Sequence, residues 1–407
     1  MPSLPRALYV SSVHPDPAGM GVQQRAFNHL TMLADLTELH VLAASRARPL
    51  PPPPPWAERC ASFQWLPAVP ASSHPGAWPG ARLAGEAGRW RRGGGGRPPP
   101  PRWPAKPRLA FCFRRPAHAL VRRHWRRFDG AAPHLWLDLD DIESVALAGA
   151  AALHPPPSPE GRLAARLAVW RNRRAEDQIL ATADTVSVCS TIDRERLLAR
   201  RPRSSIAVLP NVVHVQPVVP DRVADGTVRV LFVGSMSYGP NEDAALWLAR
   251  EVLPLLRSRF GQRVLLQLVG RRPGPAVQAL QSLPGIVVTG AVDAVAPWYR
   301  QADVVVAPVR WGSGTRLKVL EALAHGLPVV VTPFAAEGLD LHDGRDMLLA
   351  STPGDFAAAC ARLLEDGDLA RRLGNSGRAV VAGRYTPAAV ARPFAAWLAA
   401  GMAGPVP

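Results

Sequence analysis

Between Val228 and Ala350, short runs of β-branched and apolar residues alternate with longer stretches of helical spacing, and no other feature restricts the fold as strongly. The runs are Val228–Val233, Val264–Val269, Ile286–Thr289, Val304–Val309, Pro328–Thr332 and Met347–Ala350. The helical stretches are Asn241–Arg257, Pro275–Gln281, Ala294–Arg300 and Thr315–His325, with further helices to about Ala400. A strand that is apolar at every position has both faces buried, and intervening helices supply the cover. The pattern therefore predicts a doubly wound parallel sheet.

The first half is of the same kind. Ala7–Val13 precedes a glycine-containing turn and a helix over Gly21–Leu33, and Leu39–Ala44, His134–Leu139, Thr185–Ser190 and Ser205–Pro210 follow as strands. A chain of 407 residues suits two such α/β domains. The proline-rich stretch Asn211–Gly226 reads as the linker, with domains over 1–215 and 216–385 and a last helical segment over 386–407. An insertion of low complexity spans about 50–127 and includes PPPPP (Pro51–Pro55) and GGGGRPPPP (Gly93–Pro101). Open parallel sheets bind ligands beyond the carboxyl ends of their strands, so chemistry is expected in the loops after Val13, Leu139, Val233, Val269, Val309 and Thr332.

The net charge is +16, and only two of the basic residues, Lys106 and Lys318, are lysines. Between Ala81 and Phe128 fourteen basic residues meet a single acid, Glu86, and tryptophans and phenylalanines are interspersed. Such a segment suits an anionic membrane surface or a lipid diphosphate, and equally a solvated arginine-rich loop. No helix-turn-helix, zinc-finger or RNP-like pattern accompanies the charge, so no specific nucleic acid is expected. No apolar run reaches the length of a membrane span, and the N-terminal apolar stretch reads as a first strand, not a signal peptide. Cys60, Cys112, Cys189 and Cys360 are far apart, which signals neither zinc nor a disulfide framework and fits a reducing cytoplasm.

The most specific stretch is APVRWGSGTRLKVLEALAHGLPVVVTPFAAEGL (Ala307–Leu339). It sets a loop with Gly312 and Gly314 between a buried strand and a helix, where backbone N–H groups and the helix dipole receive phosphate oxygens. Arg316 and Lys318 add positive charge, and Glu321 could accept hydrogen bonds from two ribose hydroxyls. On local grounds alone, the same three residues could be an ordinary charged helical face. In the first half, DLDDIES supplies Asp138, Asp140, Asp141 and Glu143 at a strand end, where a carboxylate could orient or deprotonate an acceptor hydroxyl or simply cap the following helix. No P-loop, nicotinamide fingerprint, nucleophile elbow or HExxH is present.

The order glycine loop, Lys318, VLEALAHGLPVV and TPFAAEGL resembles the donor region of group 1 glycosyltransferases, the retaining family 4 of the GT-B fold. Phe232–Pro254, Leu268–Pro273, Val288–Val309 and Asp343–Ala350 continue the likeness, as do Ala207–Val213, Asp138–Ser144 and His14–Leu30. The resemblance implies two Rossmann-like domains facing a cleft, a nucleotide-diphosphate sugar as donor substrate, a saccharide or lipid-linked acceptor, and no metal or other cofactor. Glu321 would end the family's Glu-x7-Glu pair and hold the ribose, while Ser313 stands where the first glutamate would contact the donor sugar. Lys318 or Arg316 would neutralise the leaving diphosphate. Gly312, Gly314 and Thr315 would complete the donor loop, with Gly234 and Ser235 lining the site and Gly270 and Arg271 near base or diphosphate. Gly19 and Gly21 would shape the first domain's loop, Asp140 or Asp141 would serve the acceptor, and the last helix would cross back to the first domain.

The reading is a hexosyltransferase, retaining and metal-independent, in bacterial surface polysaccharide or glycolipid assembly, cytoplasmic or peripheral at the inner membrane face. A nucleotide-sugar epimerase or hydrolase, or a non-catalytic nucleotide-sugar-binding relative, are the alternatives.

Overall fold

The computed structural model describes residues 4–45, 50–67, 104, 106–124, 132–217 and 225–402. It divides into two compact units, Met1–Pro210 with Ala391–Pro407, and Asn211–Val390. The first division falls near the linker expected from the sequence, and the second places most of the last helix, Pro387–Met402, with the N-terminal unit.

The N-terminal unit holds seven strands: β1 (Arg6–Ser11), β2 (Glu38–Ser45), β3 (Ser62–Pro67), β4 (Leu109–Phe113), β5 (His134–Asp138), β6 (Thr185–Val188) and β7 (Ile206–Val208). They pair in the order β3-β2-β1-β4-β5-β6-β7, parallel throughout. Side chains alternate between the two faces. Leu8, Val10, Ala110, Cys112, Leu135 and Leu137 enter one core. Tyr9, Phe111 and Trp136 form an aromatic layer on the other face, where Phe394 of the last helix lies 5.8 Å from the Trp136 ring.

The expected insertion over 50–127 is corrected here. It contains β3, a 3-10 turn over Pro55–Arg59, the central strand β4 and the helix Arg115–His124. The β4 run LAFCF is fully buried, but in the sequence it lies inside an arginine-rich field whose charge masks five apolar residues. Full burial of a large apolar side chain is worth roughly 1.5–3 kcal/mol, so such a short run suffices to place a strand at the sheet centre. The Gly93–Pro101 stretch and most of the basic 81–128 segment lie outside the described residues.

The C-terminal unit has β8 (Val228–Val233), β9 (Val264–Val269), β10 (Ile286–Val288), β11 (Val304–Ala307), β12 (Val329–Val331) and β13 (Leu348–Leu349). Their order is β10-β9-β8-β11-β12-β13, again parallel. Val230, Phe232, Leu266, Val304 and Val306 face one core, and Leu231, Val233, Val305, Ala307 and Val329 face the other. Continuous apolar strands thus have both faces covered, as their composition requires. Strand order reverses between β1 and β4 in one unit and between β8 and β11 in the other, and such reversals open a crevice at the carboxyl ends of the strands.

Candidate active site

In the C-terminal unit the loops leaving β8 and β11 flank the reversal. Gly234 follows β8 and donates its N–H to the Val269 carbonyl at 3.0 Å. Gly270, after β9, has φ 151°, and a Cβ there would lie 1.8 Å from the Gly234 oxygen. Only glycine lets these two backbones meet. Met236 N–H then bonds the Arg271 carbonyl at 3.0 Å, which ties the Ser235 loop to the Gly270–Arg271 turn.

A Cβ on Gly234 would in turn strike the Asn241 amide at 2.7 Å and the Lys318 ammonium at 2.9 Å. Asn241, in the first turn of the helix Gly239–Trp247, donates from Nδ2 to the Ser235 carbonyl at 2.9 Å. Its Oδ1 accepts from Lys318 Nζ at 2.5 Å. The ammonium also lies 4.3 Å from the centre of the Phe232 ring. Burial, reinforced by the nearby Arg316 and opposed by Glu321, lowers the Lys318 pKa to about 7. An anion placed beside it would favour the charged form.

The glycine loop after β11 is seated on the fully buried Trp311, whose ring fills the space where a Cβ on Gly239 would fall, at 2.9 Å. Gly312 and Gly314 adopt φ of 133° and 69°, backbone that side chains disfavour, and so turn the chain into the helix Leu317–Ala324. Arg316, the residue before that helix, bends back: its Nη1 bonds the Ser313 carbonyl at 2.8 Å and the Gly314 carbonyl, and its guanidinium lies 4.5 Å from the Phe334 ring centre. Arg316 therefore holds the loop's shape. Thr315 Oγ1 accepts from Asn211 at 2.8 Å, and Ser313 is half-buried at the loop tip.

One helical turn after Lys318, the Glu321 carboxylate accepts a hydrogen bond from the Tyr299 hydroxyl at 3.1 Å. Tyr299 is buried and stacks on His325, with ring centres 4.9 Å apart. Burial and the Glu321 charge push the phenol's pKa well up, so it remains a donor that orients the carboxylate. The structure thus gathers Gly234, Ser235, Gly270, Arg271, Lys318 and the Gly312–Arg316 loop at one reversal, with Glu321 beside them.

In the N-terminal unit the loop after β1 is organised by the Gln23 and Gln24 side chains. Gln23 Oε1 accepts from Met20 N–H at 3.0 Å, its Nε2 donates to the His14 carbonyl at 3.3 Å, and Gln24 Nε2 donates to the Gly19 carbonyl at 3.1 Å. A Cβ on Gly19 would lie 2.7 Å from the Gln23 side chain, and Gly21 begins the helix Gly21–Ala34. The acidic cluster at the end of β5 is an ion-pair chain. Arg25 holds Asp138 through two bonds of 2.9 and 2.7 Å, with both side chains buried, and Ser187 donates to the same carboxylate at 2.6 Å. The neighbouring guanidinium, together with these hydrogen bonds, outweighs burial and lowers the Asp138 pKa. Arg114 Nη2 then reaches Asp140 at 2.7 Å and Asp141 at 3.1 Å. Asp140 also lies 3.7 Å from Arg25, whereas the Asp141 side chain is 30% exposed. The residue that caps the following helix, Ile142, makes no side-chain capping bond, and Glu143 lies in that helix's first turn.

Sequence reasoning did not identify Asn241, Tyr299, Arg25 and Arg114 as parts of these sites. Arg25 was detectable as a charge among the inward positions Ala26, His29, Leu30 and Leu33 of its helix. Arg114 follows a strand that the surrounding charge concealed. Asn241 and Tyr299 carry no local signal, because their partners lie 77 and 22 residues away in the chain.

The fold defines a two-domain, Rossmann-like protein with a glycine-containing loop at the strand-order reversal of its C-terminal unit. Residues 227–366, about a third of the chain, match the family model for glycosyl transferases group 1, and the matched region includes the residues gathered here from Gly234 to Glu321. No curated protein matches the chain. Among solved structures, the chain is similar to sucrose-phosphate synthase from Thermosynechococcus elongatus, with 19% identity and a TM-score of 0.66 over 98% of this chain and 99% of that one. It is also similar to HepE from Anabaena, crystallised with UDP and glucose, with 13% identity and a TM-score of 0.62 over 97% and 100% of the two chains. A third likeness is to WaaG, a glycosyltransferase involved in lipopolysaccharide biosynthesis, with 14% identity and a TM-score of 0.59 over 96% and 98%. These likenesses give the chain the GT-B fold.

Proposed function

We propose that the protein is a retaining, metal-independent glycosyltransferase that moves a sugar from a nucleotide-diphosphate donor to an acceptor hydroxyl. The observation that carries this reading is the convergence of Lys318, Asn241 and the Gly312–Thr315 loop at the reversal between β8 and β11, with Glu321 one helical turn away. The group 1 match over the same residues supports it.

The donor's diphosphate would lie against the loop amides and the N-terminal end of the helix Leu317–Ala324. Its charge would draw a proton onto Lys318. As the bond between the anomeric carbon and the phosphate oxygen breaks, the electron pair passes to that oxygen, and the ammonium opposes the growing negative charge. Asn241 keeps the ammonium aimed at the crevice, and the Tyr299 hydroxyl presents the Glu321 carboxylate to the ribose. The acceptor oxygen would bond the anomeric carbon as its hydroxyl proton passes to a carboxylate, the role proposed for Asp140 or Asp141. A saccharide or lipid-linked acceptor, in surface polysaccharide or glycolipid assembly, would parallel WaaG, whose role is in lipopolysaccharide biosynthesis. The Ser313 hydroxyl in place of a glutamate favours one second reading, a nucleotide-sugar binder without turnover.

A panel of UDP-, GDP- and ADP-sugars, with and without lipid-linked and saccharide acceptors, tests the assignment through release of nucleoside diphosphate. Acceptor-dependent release supports transfer. Acceptor-independent epimerisation or hydrolysis refutes it, and tight binding without release under every acceptor condition establishes the second reading.

A further inference from the structure

The helix Pro159–Leu180 buries Ala165, Glu176, Ile179 and Leu180 on its inner side. Its outer side carries Leu163, Leu167 and Trp170 at 67%, 40% and 55% exposure. Spacings of four and three residues place them in one stripe along the helix. Among the described residues, the other large apolar side chains at comparable exposure are scattered over separate segments. Exposed Arg166 and Arg173 flank the stripe on one side and Arg171 on the other, while Arg174 continues it. The Arg174 guanidinium lies 5.7 Å from the Trp170 ring centre. Of the helix's three acids, Glu160 is exposed in the first turn, whereas Glu176 is buried against Ser144 and Arg200 and Asp177 pairs with Arg200, so basic residues outnumber acids on the outer side.

We propose that this outer face docks the N-terminal unit on an anionic lipid surface. Leucines and a tryptophan enter the acyl boundary, while arginines on both flanks reach lipid phosphates. Charge complementarity selects this occupant. A second copy of the face would set arginine against arginine, and the chain's own 81–128 segment carries the same sign in excess. A nucleic acid would satisfy the arginines but leave the leucines in water. No helix among the described residues is long and apolar enough to cross a membrane, so the association would be peripheral. The inference stands apart from the donor site and from the basic 81–128 segment.

The test is co-sedimentation of the full chain with phosphatidylcholine vesicles, pure or containing about one third phosphatidylglycerol, at low and high salt. Binding is expected only with the anionic vesicles and should weaken as salt screens it. Each arginine near such a surface contributes about fivefold, so Arg166→Gln, Arg171→Gln and Arg173→Gln together should lower partitioning about a hundredfold. The triple variant Leu163→Ser, Leu167→Ser, Trp170→Ser should lower it by about tenfold or more. All six positions are exposed, so unchanged melting curves are expected and confirm that folding is intact. Failure of the wild type to bind, equal binding to both vesicle types, or wild-type binding by the serine variant overturns the proposal. So does a serine variant that changes oligomeric state on gel filtration, which would make the face a subunit contact. Nucleoside diphosphate release from donor in vesicle-free buffer is read separately, so failure here leaves the transferase reading intact.

Discussion

The sharpest consequence of the geometry around Lys318 concerns pH. Burial and the nearby Arg316 push the Lys318 pKa down to about 7. The ammonium fraction then falls from about nine tenths at pH 6 to about one thirtieth at pH 8.5. A nucleotide-sugar is a diphosphate diester with fixed charge across this range, so its own ionisation adds nothing. If the ligand binds the charged lysine and raises its pKa well above 8.5, affinity is nearly full at pH 6 and about halved at pH 7. It then falls as pH rises, by about thirtyfold or 2 kcal/mol at pH 8.5. Isothermal titration of the preferred donor should show this slope. At pH 8 it should also show uptake of nearly one proton per ligand, measured in two buffers of different ionisation enthalpy. Lys318→Met should bind weakly with a flat profile. A wild-type profile equally flat, or the same slope in Lys318→Met, refutes the assignment of Lys318 to the diphosphate.

Three further outcomes follow from particular contacts. Gly270→Ala puts a methyl group 1.8 Å from the Gly234 oxygen at a strained φ, and should destabilise the C-terminal unit by about 3 kcal/mol or more in urea unfolding. Arg25→Met strands the buried Asp138 charge and should cost about 3–5 kcal/mol, much of it recovered in the double variant with Asp138→Leu; an additive double variant would show that the pair is not coupled. Glu321→Ala should raise the donor KM more than it lowers kcat, whereas Lys318→Ala should raise KM and lower kcat together, and unchanged kinetics in both would remove the donor assignment.

The C-terminal unit was readable because its signals are local. Val304–Ala307 is apolar at every position, and Gly312, Gly314, Lys318 and Glu321 lie within one loop and one short helix. The N-terminal unit was less legible. With β4 hidden among arginines, the reversal between β1 and β4 was invisible, and the Asp138–Asp141 cluster read as acceptor-side carboxylates or a helix cap, without its arginine partners. Arg316 and Lys318 show the limit of spacing arguments. Both are basic and close in sequence, yet Arg316 turns back to the Ser313 and Gly314 carbonyls while Lys318 reaches Asn241.

Apolar runs and helical periods thus determined by themselves that the chain forms parallel α/β sheets with a glycine loop at a strand end, because burial and backbone conformation act over a few residues. The tertiary structure decided which strands are neighbours, that Gly234 and Gly270 touch, and that Asp138 belongs to Arg25 from 113 residues away. It also decided the state of Lys318, since an amine's charge depends on the burial and the neighbours that only the folded chain supplies.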